Sequence, residues 1–430
     1  MTSRRCFACT IAALSLVAFH AGARADSDKD RERDRDKDRT TTVDCAAGDT
    51  IAKALTKGDE RKSLTILING SCSEHVVINR SDIKLAAAAP GATIIGPDPT
   101  IDVIRVTGTR VTIDGIKVTG GRNGVTADGA AGLIVQNALV QDTGRNGITY
   151  THGASGVVDT VIVTGNARDG VAVDAAQGTV INSQIGQNAR FGVGVFNGGS
   201  ARIGIDNFNN GGGNVISANA SNGIHVVFGS TALIAMNQVI GNGTSTDPAA
   251  LKIGVNITSA TADFIGGNTI SGNVGTGVNL VRSSANFGDA NFGFTTLNTI
   301  TGNGSTTASQ GGIFAFNGSS LTLRDAVISN NVGFGLNLTL KSSGQIASTT
   351  IQGNTAIPGP IPGTLTGGDG IRLVFGSGLF AVTPNSSVTG NAGFGVICTD
   401  GESSVIGTAA LAIVLGISGN TAGSVACTGF

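Results

Sequence analysis

Residues 161–171 read VIVTGNARDGV, and residues 183–193 read SQIGQNARFGV. Both stretches contain Asn-Ala-Arg, one further residue, and then Gly-Val. Outward from them, a glycine followed by an apolar residue recurs at a base spacing of 22–23 residues with longer insertions, at Gly124, Gly147, Gly170, Gly192, Gly223, Gly254, Gly277, Gly312, Gly335, Gly370 and Gly395. An asparagine four residues earlier keeps the same phase at Asn166, Asn188, Asn219, Asn273, Asn331 and Asn391. The chain is therefore a repeat protein.

Between these markers run short alternating apolar segments, such as residues 161–163 and 321–323. Three strands and three turns per unit fit one coil of a right-handed parallel β-helix, whose coils stack at about 4.8 Å. A left-handed β-helix would repeat every six residues or so, and a propeller blade needs about 40–50. With 66 glycines, no tryptophan and 13% charged residues, a helical class is excluded. We expect an all-β solenoid of about 12–14 coils.

The Asn-x-x-x-Gly-Val/Ile units resemble the parallel β-helix repeats of the pectate-lyase-like superfamily, over roughly residues 75–425. The resemblance implies the fold. It leaves the activity open, because that superfamily contains lyases, hydrolases, epimerases, adhesins and phage tailspikes. It implies no cofactor, except calcium if the protein were a lyase.

The N-terminus has the features of an export signal. Arg4 and Arg5 precede an apolar run over residues 6–19, and small residues stand at Ala23 and Ala25. Residues 1–25 are therefore expected to be a cleaved signal peptide, by either the general secretory or the twin-arginine route, which predicts a secreted, periplasmic or cell-surface protein. Residues 26–40 are mostly alternating charges, which predicts a disordered linker.

The remaining residues, 41–430, are predicted to form one β-helix domain with caps at 41–75 and 396–430. Asp49 is expected to cap a short helix over residues 50–57 that ends at Gly58 and covers the first coil. Two cysteines stand near each end of the domain, and local closure favours the disulfides Cys45–Cys72 and Cys398–Cys427. No metal site is expected, because the pairs are far apart and no Cys-x-x-Cys occurs.

A column of basic residues is the first candidate site. The position two residues before the marker glycine is basic in four successive coils, followed by Ser221 and then another basic residue: Arg122, Arg145, Arg168 and Arg190, with Lys252. Because arginine binds carboxylates through two hydrogen bonds, the column predicts non-catalytic binding of an acidic polysaccharide or cell-surface glycan. A solvated column that stabilises the turns is the alternative. The formal net charge of −1 does not favour nucleic acid.

Carboxylates and a histidine give a second hypothesis, a polysaccharide lyase, glycoside hydrolase or epimerase. Asp128 and Asp174 share a column with Thr151 between them, and His152 lies beside it. Two coils separate the carboxylates by roughly 10 Å, at or beyond the reach of an inverting pair. A structural surface or adhesion protein is the third hypothesis.

Other positions in the repeat are expected to serve mainly the fold. The asparagine column should form a ladder of hydrogen bonds between coils. His225 and Arg372 are predicted to be solvated polar residues, and the aromatic turn column of Phe191, Phe334 and Phe394 is predicted to pack the turns or to stack on a ligand. Insertions within residues 242–254, 303–312 and 354–370 fall at one turn and could shape a cleft.

Overall fold

Three long parallel sheets, here sheets A, B and C, wind around one apolar core. The computed structural model describes residues 39–57, 62–288, 296–305, 310–358, 365–381, 385–406 and 416–427. The predicted signal peptide and most of the predicted linker lie outside these residues. Each coil contributes one strand to A, then one to B, then one to C, and every strand pairs in parallel with the equivalent strand of the next coil.

The strands are short because each coil turns three times. The 15 strands of sheet A are Arg39–Asp44, Leu64–Asn69, Ile83–Ala87, Val111–Asp114, Ala131–Gln136, Ser155–Asp159, Gln177–Ile181, Ser200–Ile203, Thr231–Ala235, Thr261–Gly266, Ser284–Phe287, Ser320–Arg324, Ser343–Ala347, Gly378–Ala381 and Ser404–Ile406. The 14 strands of sheet B are Ser71–Ser73, Thr93–Gly96, Lys117–Gly120, Leu139–Gln141, Ile162–Thr164, Gln184–Gly186, Val215–Ser217, Gln238–Ile240, Thr269–Ser271, Asn298–Thr301, Ala326–Ser329, Thr350–Gln352, Ser387–Thr389 and Ile417–Ser418. The 14 strands of sheet C are Val76–Ile78, Ile104–Val106, Val125–Asp128, Ile148–Thr151, Val171–Asp174, Val193–Phe196, Ile224–Val227, Val255–Thr258, Val278–Val281, Ile313–Phe316, Leu336–Thr339, Ile371–Val374, Phe394–Cys398 and Gly423–Ala426. A small antiparallel hairpin joins Ala356–Pro358 to Leu365–Gly367.

The core forms because alternate residues of a strand point to opposite faces. Val125 and Ala127 of one sheet C strand are fully buried, while Asp128 points outward. The same phase buries Tyr150 in the next coil, and burial raises the pKa of its hydroxyl. Because the register repeats from coil to coil, inward residues stack along the axis, as where the rings of Phe264 and Phe287 lie 4.1 Å apart and nearly parallel.

A buried asparagine ladder runs along the turns between sheets B and C. The amide Nδ2 of each asparagine donates to Oδ1 of the next at 2.8–3.2 Å. The ladder starts from Thr143 and includes the predicted column with four further members: Asn166, Asn188, Asn219, Asn242, Asn273, Asn303, Asn331, Asn354, Asn391 and Asn420. Each amide also bonds backbone groups at the turn, so the ladder satisfies buried polar groups that water cannot reach.

A second, shorter ladder lies at the turns between sheets A and B, where the sequence analysis did not place one. Asn214 donates to Asn237, Asn237 to Asn268, and Asn268 to Asn298, at 2.8–3.1 Å. All four side chains are buried. Its members keep the same spacing as Asn219, Asn242, Asn273 and Asn303, each lying five residues before one of them.

The N-terminal cap differs from its prediction. The α-helix of this cap, α1, spans Ile51–Leu55 and follows a short 3-10 helix at Cys45–Ala47. Its N-cap is Thr50 rather than Asp49, because the Thr50 side chain accepts from the backbone N–H of Lys53 at 3.2 Å. Glu74 of the first full coil accepts from the first two N–H groups of α1 at 2.8 and 3.1 Å. Its negative charge at the helix N-terminus is favourable. Gly58 lies outside the described residues. None of the helices that the structure describes is long and apolar enough to cross a membrane.

Regular strands extend into both predicted caps. Strand Arg39–Asp44 already pairs with Leu64–Asn69, two residues before the predicted domain start, and strands Ser404–Ile406 and Gly423–Ala426 continue the coils towards the C-terminus. Disulfides join Cys45 to Cys72 and Cys398 to Cys427. Each therefore ties a terminal segment to its neighbouring coil.

Substitution of Asn273 by alanine tests the main ladder. Asn273 donates to Asn303 and to the Val239 carbonyl and accepts from Asn242, so Asn273→Ala leaves several buried groups without partners. We expect the free energy of unfolding to fall on the order of 3 kcal/mol, measured by urea denaturation. The control is Asn286→Ala, which removes only an exposed contact to Asp263. Equal urea midpoints for the two variants would contradict a stabilising ladder.

Candidate functional site

An open groove of about 770 Å³ lies on the outward face of sheet C. Its lining residues come from successive coils, from strand Val76–Ile78 to strand Ile224–Val227. At about 4.8 Å per coil, the groove is roughly 30 Å long and follows the helix axis. We call it the sheet C groove. Its lining includes no described residue of the insertions at 242–254, 303–312 and 354–370, so the described parts of these loops do not form its walls.

One wall of the groove is the arginine column. Arg122, Arg145, Arg168 and Arg190 all line it. The backbone N–H of Arg168 donates to the carbonyl of Arg145, and that of Arg190 to the carbonyl of Arg168, both at 2.8 Å, so three of the side chains leave the backbone from stacked positions. Lys252 is not among the lining residues.

The arginines differ in their partners. Arg190 forms a two-bond ion pair with the buried carboxylate of Asp169, at 2.7 and 2.5 Å. No carboxylate of the described residues lies within 4.0 Å of the guanidinium nitrogens of Arg122, Arg145 or Arg168. Burial, and then repulsion from Arg190, lower the pKa of Arg168. Three of the four guanidinium groups on this wall therefore form no ion pair with a described carboxylate, although Asp169 and Asp174 lie near Arg168.

The opposite wall carries the predicted acids and histidine. Strand register places Asp128, Thr151 and Asp174 in one row. Asp128 accepts from Arg105 Nε at 3.1 Å, and its other oxygen lies 2.6 Å from His152 Nδ1. The Arg105 guanidinium, followed by His152, lowers the pKa of Asp128.

Asp128 and Asp174 have separate partners. Asp174 accepts from the amide of Asn197 at 2.7 Å, and Thr151 lies between the two acids. The carboxylates therefore do not share a proton, as a closely spaced catalytic pair would. His152, by contrast, is 77% exposed and adopts a left-handed backbone with φ of 52° at the groove edge. Asp128 and His152 thus form a hydrogen-bonded acid–base pair open to a ligand.

The floor consists of outward residues of sheet C, and its row ends at His225. Arg105, Thr126 and Thr149 stand in one row. Thr149 Oγ1 accepts from the Asn146 amide at 3.1 Å, whereas Thr126, only 6% exposed, has an Oγ1 with no hydrogen-bond partner in the structure. Residues 126 and 149 each stand two positions after a marker glycine. The repeat spacing, continued into the sheet C strands, therefore identifies this floor row.

At one end the groove becomes aromatic. The rings of Phe191 and His225 stack 4.1 Å apart, and Phe196 lies 5.9 Å from His225. The Arg190 guanidinium lies over the Phe191 ring at 4.3 Å from its centroid. The prediction that His225 is a solvated polar residue is therefore wrong, since the ring of Phe191 covers it.

His225 is held in one tautomer by its neighbours. Its Nδ1 lies 2.9 Å from the Asn222 amide nitrogen and 3.1 Å from that of Asn256. Because amide nitrogens donate, Nδ1 accepts and Nε2 carries the proton. Burial, with a smaller contribution from Arg190, lowers the pKa of His225 to about 4. His225 is therefore a neutral donor near pH 7.

The other predicted aromatic positions lie away from the groove. Phe334 packs beneath the guanidinium of Arg372, 4.8 Å from its ring centroid. The backbone N–H of Phe394 donates to Asp369 at 2.7 Å, and burial raises the pKa of that carboxyl. Phe191, Phe334 and Phe394 therefore form no common surface. Arg372 is half-buried rather than freely solvated. Within the described residues, His, Cys, Asp and Glu nowhere gather in threes as a potential metal site.

Comparison with known proteins identifies the repeat. A family model described as "Right handed beta helix region" matches residues 102–262 and 252–409. No curated protein sequence matches the chain.

Among solved structures, a pectate lyase has a TM-score of 0.41 and 15% identity, over 73% of this chain and 79% of its own. The A-module of a mannuronan C-5 epimerase from Azotobacter vinelandii has a TM-score of 0.34 and 13% identity, over 87% of this chain and 91% of its own. The Dettilon tailspike protein has a TM-score of 0.34 and 14% identity, over 88% of this chain and 64% of its own.

The lowered pKa of His225 predicts a pH-dependent stability. Between pH 6.5 and about 4 the unfolded chain binds a proton that the native protein excludes, so stability falls as the pH falls. The slope is about 1.4 kcal/mol per pH unit, and the total about 3 kcal/mol. His225→Gln should remove this part of the slope, as measured by urea denaturation at pH 7 and pH 4.5. Parallel behaviour of variant and parent would show that His225 is protonated in the native state.

Proposed function

The chain belongs to the right-handed β-helix family, and on that premise we propose that it is an exported protein that binds an acidic polysaccharide along the sheet C groove. The observation that carries this proposal is the set of three arginines on one wall, the stacked Arg145 and Arg168 with Arg122, which form no ion pair with a described carboxylate. Stacked like charges repel one another unless counter-ions or a ligand neutralise them. A polymer with repeating carboxylates does so along its length.

The form of the groove supports a polymer rather than a small ligand. It is open, it crosses successive coils, and its walls and floor carry hydroxyl and amide groups that suit sugars, such as Thr149, Thr151 and Asn197.

The two disulfides support export, since such bonds persist in oxidising compartments. The predicted signal peptide agrees with that location. The whole chain has a formal net charge of −1, so the affinity for a polyanion would arise from the local arginine wall. We therefore expect binding that depends strongly on salt.

The double variant Arg145→Ala with Arg168→Ala tests the proposal. We expect its affinity for polygalacturonate or polymannuronate oligomers to fall on the order of 100-fold, because two charge-assisted contacts are lost. Calorimetry at two salt concentrations should also show a weaker salt dependence. The matched control, Arg282→Ala with Arg324→Ala, removes the same charge from exposed positions that do not line the groove. Equal affinity in the two double variants would overturn the proposal.

A second candidate function is catalysis on the bound polysaccharide, and the short bond between Asp128 and His152 favours it. Arginines that neutralise a uronate carboxylate make its α-hydrogen more acidic, and a base on the opposite wall could then accept that proton. His152, oriented by Asp128, is the basic group on that wall. The electron pair left at C5 would then either expel the glycosidic oxygen from C4, which takes a proton from water, or take up a proton from water on the opposite face of C5. Elimination or epimerisation of this kind would suit the arrangement better than hydrolysis by two acids, because Asp128 and Asp174 do not act as a pair.

Incubation of the mature protein with polyuronates separates the two functions. Catalysis predicts unsaturated ends or inverted C5 centres, detected by absorbance and NMR, with loss of more than 100-fold in rate for His152→Gln. Asp128→Asn should lower the rate while leaving polymer binding largely intact. Binding without product would exclude the catalytic candidate and leave the first proposal standing.

A further inference from the structure

The sheet C groove changes character along its length. Before Arg190 the lining is charged, with arginines on one wall and the carboxylates of Asp128 and Asp174 on the other, whereas beyond Arg190, itself paired with Asp169, the lining residues carry no free charge. This end is formed by Phe191, Phe196, His225, Val227 and Phe228. We call it the aromatic end. A ligand with a carboxylate on every unit would place one of them here without a partner.

A glycine in the floor row creates the aromatic end. Gly194 follows Ala172 in that row, and a Cβ at Gly194 would lie 2.4 Å from ring atoms of Phe196. The missing side chain therefore allows the Phe196 ring to fold over the floor strand and towards His225. Any larger residue at position 194 would push this ring away.

Phe228 adds an exposed apolar surface at the same place. It is 64% exposed and lies at the turn after strand Ile224–Val227, with a left-handed φ of 57°. Asparagine, as at the equivalent Asn197 with φ of 53°, suits that backbone better than phenylalanine, although the equivalent turn of a later coil also carries an exposed phenylalanine, Phe375. Unlike Phe375, Phe228 lines the sheet C groove. Its exposed face is open to a ligand in the groove.

His225 supplies the polar group of the aromatic end. Two amide donors occupy its Nδ1, so the ring proton is fixed on Nε2. This Nε2–H has no partner among the described residues. The end therefore offers apolar ring faces and a single neutral donor. This combination suits a sugar ring with an apolar face and hydroxyl oxygens but no carboxylate.

We propose that the aromatic end binds an uncharged sugar unit, so that the ligand of the groove is an acidic heteropolysaccharide in which uronate units accompany neutral ones. The inference rests on the proposed polysaccharide binding and deepens it by naming the ligand class. Uronates lie along Arg122, Arg145 and Arg168, and the neutral unit packs against Phe196 and Phe228 and accepts a hydrogen bond from His225.

The test compares two classes of probe at equal charge. Hyaluronan and deacylated gellan oligomers contain neutral sugars between uronates, whereas polygalacturonate and polymannuronate oligomers contain none. We expect at least one heteroglycan to bind the parent protein more tightly than both homopolymers, by about tenfold, in calorimetry. Tighter binding of the homopolymers would overturn the inference and leave the proposed function intact. No binding of any probe would count against both.

Variants then locate the preference. Phe228→Asn removes the ring and keeps a residue that tolerates the left-handed backbone, and Phe196→Ala removes the second ring. Each should lower heteroglycan affinity about tenfold and leave homopolymer affinity unchanged. The control is Phe208→Asn, at a phenylalanine that is 85% exposed and outside the groove. An equal loss for both probe classes, or no loss for either, would overturn the aromatic subsite, and Arg145→Ala with Arg168→Ala should weaken both classes.

Discussion

The structure depends on one constraint: each coil must stack on the previous one in the same register. In a parallel β-helix, that register places every residue beside its equivalent in the neighbouring coil, at about 4.8 Å. The buried asparagine ladder enforces it at the turn between sheets B and C, because a shift of one residue would break each amide contact. The Arg168 and Arg190 side chains leave the chain two residues after ladder members Asn166 and Asn188. The arginine wall is therefore held by the same turns.

A second chain of polar contacts runs beside the start of this ladder, three residues later in each coil. Asn123 donates to Asp102, the backbone of Asn146 donates to Asn123, and the backbone of Asp169 donates to Asn146. This chain ends in the carboxylate that binds Arg190. The Asp169 carboxylate therefore binds Arg190, and the residue also takes part in the contacts of its turn. Arg122 and Arg145 adjoin the amides Asn123 and Asn146 instead of acids, and Arg168 forms no ion pair with a described carboxylate.

The spacing of the repeat predicted those features that depend on a residue's position within its coil. It identified the parallel β-helix and the asparagine column, and its columns correspond to the observed rows of Asp128, Thr151 and Asp174. It did not predict contacts that cross a coil or join distant segments. Glu74 reaches α1 from the following coil, and Phe196 meets His225 only because Gly194 has no side chain. A repeat pattern specifies where a side chain starts, whereas these contacts depend on how far and in which direction it extends.

The difference between inward and outward positions explains how a solenoid can carry a specific site. Inward residues of each coil contact equivalents above and below, so their size is limited by packing along the whole stack. Outward residues of sheet C have no such limit, and they change from arginine and threonine to phenylalanine and histidine within a few coils. Because the backbone register is unchanged across this transition, the change in chemistry costs the fold little. The groove thus combines a charged segment and an aromatic segment on one continuous scaffold, at positions that the ladder and the core leave free.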